Sequence, residues 1–198
     1  MIRQRVLHIV EGEGDDRAVP ALLRRMLPEV PARYDIQVLP AHRRGELPKV
    51  KASFERFFQA AALENAAILC VLDFDCDTCT DVLAEEAGLR QRAQALRSDV
   101  PFEACFIVKE FESLFLWDAD STRTALPLIH KDCKFPSDPE AIRDAKGWLK
   151  DAQPKGHSYK PTIHQAKLAS LVNLDTLLAH SASYHRLNQA VLKLVCNP

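Results

Sequence analysis

Three aspartates stand at every second position, Asp73, Asp75 and Asp77, directly after the unbroken apolar run ILCVL at residues 68–72. A continuous apolar run of that length fits a strand buried on both faces of a parallel sheet. Strand residues alternate faces, so Asp73 and Asp75 point the same way where the strand ends. The C-terminal edge of a parallel sheet is where α/β proteins place their ligands. Carboxylates crowded there repel one another, and a divalent cation relieves the repulsion. An all-oxygen set suits Mg²⁺ or Mn²⁺. The same residues also read as a solvated Asp-rich loop or the N-terminus of a helix.

The elements that must position this cluster follow an alternating pattern. VLHIV at 6–10 reads as a buried strand, and EGEGDDRAVPALLRRML follows it. Gly12 and Gly14 permit a tight turn. Asp15 or Asp16 can cap a helix whose apolar face is Val19, Leu22, Leu23 and Met26, with Pro20 in its first turn. Residues 36–39 suggest a second strand, and HRRGELPKVK at 42–51 a basic loop entering one helix over 50–63 anchored by Phe54, Phe57 and Phe58. The strand at 67–72 then carries the aspartates. A helix over 82–96, a strand at 102–108 and the acidic, aromatic segment KEFESLFLW at 109–117 come next. This alternation predicts an α/β core over residues 1–118 with a mainly parallel sheet flanked by helices. A mostly helical extension over 119–198, packed on the core, has helices expected near 139–150, 163–171 and 183–195. Residues 153–162 (QPKGHSYKPT) read as a loop.

Composition narrows the class. The 198 residues with 47% hydrophobic content suffice for a real core. No apolar stretch nears the roughly 18 residues that span a bilayer, so no membrane partner is expected. The start MIRQRVLHIVEGEGDD lacks a signal-peptide pattern, and a cytoplasmic location is expected. Lys and Arg number 15 against 20 Asp and Glu up to Asp118, and 11 against 7 from Ala119 onward. An acidic first part and a basic last part fit a metal site beside a phosphate-attracting surface. Among six cysteines, Cys70 and Cys105 lie in apolar runs as small core residues. Cys76 and Cys79 form a single CxxC without a second matching pair, so they are expected to be reduced and free of zinc.

Glu11-Gly12 after one buried strand, followed by Asp73-x-Asp75-x-Asp77 after a later one, resembles the Toprim domain of primases, topoisomerases, recombination factors and overcoming-lysogenization-defect nucleases. IVEGEGDD is similar to the Glu-Gly-x-x-Asp version in the nucleases, with Asp15 matching their extra acid. The segments KEFESLFLWD, AKGWL and YKPTIHQAKLASLVNLD resemble a narrower group of small Toprim-like proteins encoded beside AAA or ABC-type ATPases in bacterial defence loci. The CDTC insert departs from the pattern, where a Gly is common.

The resemblance implies a Rossmann-like Toprim core and a metal-dependent nuclease or related phosphodiester-processing subunit. It would act on nucleic acid, DNA before RNA, with an ATPase partner in anti-phage defence or nucleic-acid metabolism. Glu11, Asp73 and Asp75 would be catalytic. Asp73 and Asp75 would ligate a first Mg²⁺ or Mn²⁺, with Asp77 through water. Glu11 would ligate the same ion or act as general base. Asp15, with Glu112 or Glu110, would hold a second ion, Glu112 being preferred. Lys160 and His157 would contact phosphate and Tyr159 would stack on a base, with His164, Arg43 and Arg44 as further candidates. Each acid also has a plainer reading, Glu11 as a turn carboxylate, Asp15 as a helix cap and Glu112 at a helix start. Trp148 reads as a core anchor. Two other functions compete. One is a non-catalytic subunit that binds an ATPase or nucleic acid. The other is a haloacid-dehalogenase-like phosphatase, whose Asp-x-Asp usually follows the first strand and needs a later Lys and acidic pair.

Overall fold

In the computed structural model, residues 3–29, 35–75 and 81–196 are described. Asp77 and the Cys76–Cys79 pair lie outside them.

The molecule is α/β. Strands β1 (Arg3–Val10), β2 (Asp35–Val38), β3 (His42–Arg43), β4 (Ala67–Phe74) and β5 (Phe102–Val108) form one parallel sheet in the order β2-β1-β4-β5. β3 continues along the same side of β1 beyond β2, pairing with Ile9 and Val10. The expected strand at 36–39 is there, shifted by one residue. The strand bearing Asp73 runs two residues further than its apolar run, because Asp73 and Phe74 still pair with Ile107 and Val108.

Strand alternation divides the core in two. Leu7, Ile9, Ile68, Cys70, Leu72, Ala104 and Phe106 face helices α2 (Leu47–Ala52), α3 (Phe54–Ala62) and α4 (Val82–Leu96). Val6, Val10, Leu69, Val71, Cys105 and Ile107 face α1 (Asp15–Met26) and the C-terminal helices. Asp73 shares the parity of Leu69 and Val71, so its carboxylate emerges on the second face. The single helix expected over 50–63 is two helices. Ser53 breaks it at φ −124°, which lets Leu47 and Val50 bury beside Phe54, Phe57 and Phe58. Pro20 sits in the second turn of α1, because the helix starts at Asp15 with Gly14 as its cap residue.

Beyond β5 come α5 (Ser113–Leu116), α6 (Ala119–Ala125), α7 (Ala145–Asp151), α8 (Pro161–Leu171), α9 (Leu174–His180) and α10 (Ala182–Cys196). The helix expected near 139–150 is a 3₁₀ turn at Pro139–Ala141 followed by α7, whose start Asp144 caps by accepting from Gly147 N–H. α8 packs on α1 and α10 on β5. The open edge of β5 is satisfied by side chains: Phe106 N–H donates to Glu86, Val108 N–H to Ser183 Oγ, and Arg186 donates to the Phe106 carbonyl. An edge strand covered in this way offers no template for a second chain. Among the described residues no helix is long and apolar enough to cross a membrane.

Candidate functional site

Three strand ends meet at one edge of the sheet. Val10 pairs with Val71, so Glu11 leaves the sheet beside the end of β4, where Asp73 lies. On the other side, β5 ends opposite Phe74. Lys109 then adopts a left-handed φ of 66°. That conformation costs a non-glycine residue about 1 kcal/mol. It turns the chain so that Phe111 N–H donates to Asp73 Oδ1 at 2.8 Å. The same turn brings Glu110 and Glu112 to the edge. The parallel register thus places carboxylates from β1, β4 and the segment after β5 together.

A lysine stands among them. Lys146, in the first turn of α7, places its Nζ 3.1 Å from Asp73 Oδ2, 3.4 Å from Glu110 Oε1 and 3.6 Å from Glu112 Oε2. Its own N–H donates to Glu110 Oε2 at 2.8 Å. Around this pivot, Tyr159 donates to Glu112 Oε1 at 2.9 Å, and Gln165 Nε2 to Asp15 Oδ1 at 2.8 Å. Asp15 Oδ2 accepts from Gly12 N–H and closes the Glu-Gly turn. Asp15 is therefore the first residue of α1 rather than its cap, and its carboxylate points back to the turn. Glu112 stands at the start of α5 without capping it by its side chain. Its side chain is wholly buried.

The electrostatics are those of too many acids for one base. Burial pushes the Glu11 carboxyl up to about 7, with Asp15 and Asp75 adding repulsion and Lys146 opposing it. Burial raises Glu112 to about 7 as well, again against Lys146. Burial drives Asp73 well above the usual carboxylate range, with Asp15, Glu112 and Glu11 adding to the shift. Burial works against the Lys146 ammonium, yet Asp73, Glu112 and Glu110 outweigh it and hold its pKa above the ordinary lysine value. Burial and the neighbouring Glu112 raise Tyr159, so its hydroxyl stays protonated as a donor. Two buried carboxylate oxygens, Glu11 Oε2 and Glu112 Oε2, have no hydrogen-bond donor. Of these, Glu112 Oε2 has the Lys146 ammonium at 3.6 Å, and a water or an ion is one way such a group is satisfied.

Of the residues expected from the sequence, Glu11, Asp15, Asp73, Glu110 and Glu112 come together. Asp75 is exposed one residue past β4, near enough for its charge to act on Glu11. Asp77 lies outside the described residues. Among those residues, no group of three or more His, Cys, Asp or Glu is arranged to hold an ion. Lys146 Nζ occupies the space between Asp73, Glu110 and Glu112. The loop at 153–160 borders the site, but its side chains part company. His157 and Lys160 are exposed, whereas Tyr159 is 6% exposed, and no base could stack on it. His164 Nδ1 accepts from Lys160 N–H, and Arg43 pairs with Glu13 and Asp16. Trp148 packs on Phe135, half-buried, in keeping with an anchoring role.

Lys146 and Gln165 were not singled out from the sequence. Gln165 left a trace, because it holds the buried position in the spacing 165, 168, 169, 172 of an otherwise apolar helix face. Lys146 left a fainter one. A lysine in a helix's first turn opposes the macrodipole and needs acids from elsewhere to hold it.

A search among curated proteins found no match, and a search among solved structures found none. The family model described as a domain of unknown function (DUF4276) matches residues 10–192. That span takes in the Glu-Gly turn, Asp73, Glu112, Lys146, Tyr159 and Gln165, and the chain belongs to this family.

Proposed function

We propose that this protein is a divalent-metal-dependent phosphodiester-processing subunit, a nuclease with a Toprim-like site. The observation that carries the reading is the cluster of buried carboxylates at one sheet edge, in which Glu11 Oε2 has no hydrogen-bond donor. The donor set is all oxygen, which suits a hard cation. Lys146 Nζ stands 3.1, 3.4 and 3.6 Å from Asp73, Glu110 and Glu112, so an ion there would have to displace it. Lys146 alone cannot balance Glu11, Asp15, Asp73, Glu110 and Glu112. Asp73, Glu11 and Glu112 would hold Mg²⁺ or Mn²⁺, with Asp75 and Asp15 beside them. Bound there, the metal supplies a polarised phosphate oxygen and an acidified water. Where Glu11 does not ligate the metal, its carboxyl, raised by burial to about 7, is the alternative general base. Lys146 keeps a cation beside Asp73, where it offsets phosphate charge. Tyr159 and Gln165 fix Glu112 and Asp15, so the acids do not splay apart. Polynucleotide, DNA before RNA, is the proposed substrate. The proposal of an ATPase partner rests on the resemblance of KEFESLFLWD and AKGWL alone.

One observation favours a second reading, a non-catalytic binding subunit. Lys146 already bridges Asp73, Glu110 and Glu112 without an ion. A phosphatase with Asp73 as nucleophile fits less well. Asp73 is 4% exposed and both of its oxygens are engaged, by Phe111 N–H and by Lys146. The test is cleavage of plasmid and of labelled single-stranded DNA and RNA with Mn²⁺ or Mg²⁺, alone and with the ATPase, where one is encoded beside this chain. Metal-dependent cleavage lost in Glu11→Gln and Asp73→Asn supports the nuclease. Metal-independent binding without cleavage under every condition supports the second reading.

A further inference from the structure

On the far side of Glu11 from Lys146's cluster of acids, the chain forms an open hollow of about 420 Å³. Its wall is built from β3, the turn after it, and helices α2 and α3. Glu11 and Gly12 form its rim toward the acidic site, and Arg44, Lys49, Arg56 and Phe57 line it together with Glu13 and Arg43. The guanidiniums of Arg44 and Arg56 both lie against the Phe57 ring, at 5.2 and 5.0 Å from its centroid. Phe57 is itself anchored in the core under α3. This holds two otherwise floppy side chains in place, so less entropy is lost when they bind. Arg44 is held further by its contact with His42 Nδ1 at 3.3 Å, and its Nε is buried without an acceptor. Gly45, at φ +83°, brings the chain round to α2, and Lys49 crosses over it. Arg43, which lines the same hollow, is neutralised by Glu13 and Asp16. No carboxylate of the described residues pairs with Arg44, Lys49 or Arg56.

Three cations that face one hollow and form no ion pair with the described residues, two of them pre-set as planar forks, form a site for an oxyanion, with Glu11 on its rim and Glu13 already held by Arg43. Its rim is shared with the carboxylates at the sheet edge, so an anion here lies next to whatever those carboxylates hold. We infer that the Arg44–Lys49–Arg56 hollow binds a backbone phosphate of a polynucleotide strand, one that neighbours the phosphate presented to the acidic site. The assignment to a polynucleotide rests on the proposed phosphodiester chemistry, while the phosphate site stands on the hollow's own charges. It also gives the strand a path that runs over β3 and α3 rather than over the loop bearing His157 and Lys160.

The experiment is equilibrium binding of labelled single-stranded DNA and RNA by fluorescence anisotropy, without divalent metal, over a range of NaCl. Wild type is compared with the double variant Lys49→Gln/Arg56→Gln and with Arg5→Gln/Arg97→Gln. The latter removes the same formal charge at the opposite edge of the sheet, where Arg5 and Arg97 line another hollow. The expected result is about tenfold or greater weakening for the first pair only, with a log–log salt slope shallower by about one to two. Unchanged affinity and slope in Lys49→Gln/Arg56→Gln, an equal loss in the control pair, or no binding by wild type would each overturn the inference. So would competition by a mononucleotide as strong, per phosphate, as by the oligonucleotide, which would make the ligand a free nucleotide. Mn²⁺ uptake is followed in parallel by thermal shift. A wild type that binds DNA through the hollow but takes up no Mn²⁺ and cleaves nothing defeats the proposed nuclease and leaves the hollow standing.

Discussion

Lys146 is the residue on which the site's charge balance turns. It serves three carboxylates at once. Removing one partner of a fully buried ion pair costs about 3–5 kcal/mol. The Lys146 side chain is 37% exposed, so solvent screening reduces this to about 2 kcal/mol for Lys146→Met. A metal site would convert that loss into metal dependence. The variant is expected to melt lower than wild type in EDTA and to recover most of the difference in millimolar Mn²⁺. A loss of stability that Mn²⁺ leaves untouched would mark Lys146 as a purely structural clamp.

His8 is another buried polar residue, in the C-terminal half of β1 three residues before Glu11. Neither ring nitrogen has a partner, and burial, with Arg24 and His42 nearby, lowers its pKa to about 4. The unfolded chain takes up a proton near the ordinary value of 6.5, whereas the folded chain resists until about 4. Stability from neutral His8 is therefore full above about pH 6.5 and is lost as pH falls through about 4. The loss is on the order of 3 kcal/mol. His8→Leu removes this limb and orphans nothing. Chemical denaturation of both proteins at each pH should show equal or greater stability for the variant near pH 7.5. Its advantage should widen on acidification, and the opposite-signed contribution of Glu11 and Glu112 cancels in the comparison. Parallel curves for the two proteins would contradict the assignment.

At the scale of elements, the contact between α1 and α8 sets where Asp15 stands. A Cβ on Gly14 would collide with Gln165 Oε1 and lie 2.8 Å from Pro161 Cβ. Gly14→Ala must push α8 off α1, at a cost of about 1–3 kcal/mol. Gly12→Ala meets only Asp15 Oδ2, at 3.5 Å, and should cost well under half as much. Denaturant melts of the two variants check this, and equal effects would contradict the docking. What the sequence made legible follows from the same physics. Local periodicity marked the strands at 6–10, 67–72 and 102–108, because each is an apolar run with no competing pattern. The register that joins Glu11 to Asp73 was legible through strand order and the Glu-Gly and Asp-x-Asp pattern. Ser53's break was not, since a helix over 50–63 and two helices share the same apolar spacing. Lys146, Tyr159 and Gln165 reach the site through long-range packing of α7 and α8, which no local pattern encodes. Tyr159 looked like an exposed stacking residue because its loop is polar, and only its partner Glu112 explains its burial.

At the scale of the molecule, the helices after Asp118 pack on the core and share the hydrophobic cluster on one face of the sheet. Leu168, Leu177, Leu187, Val191 and Leu194 pack in the same cluster as Val6, Leu69 and Ile107. Gln4 also donates to the Leu194 carbonyl, and Arg25 to that of Ala169. A chain cut after Asp118 would uncover β4 and β5 where α10 packs, strip α8 from α1, and lose Lys146, Tyr159 and Gln165. It should lack a cooperative melt. A sharp transition near that of the whole chain would show two independent units instead.

The central claim is that the carboxylates at the sheet edge form a divalent-metal site, and calorimetric titration of Mn²⁺ tests it most directly. Glu11 and Glu112 hold protons up to about pH 7, so metal uptake near neutrality must release them. The wild type is predicted to bind Mn²⁺ with a Kd below about 1 mM. The observed heat should change with the ionisation enthalpy of the buffer, and Asp73→Asn should abolish both. Absence of binding, or Asp73→Asn binding as tightly as wild type with the same proton release, would contradict the account.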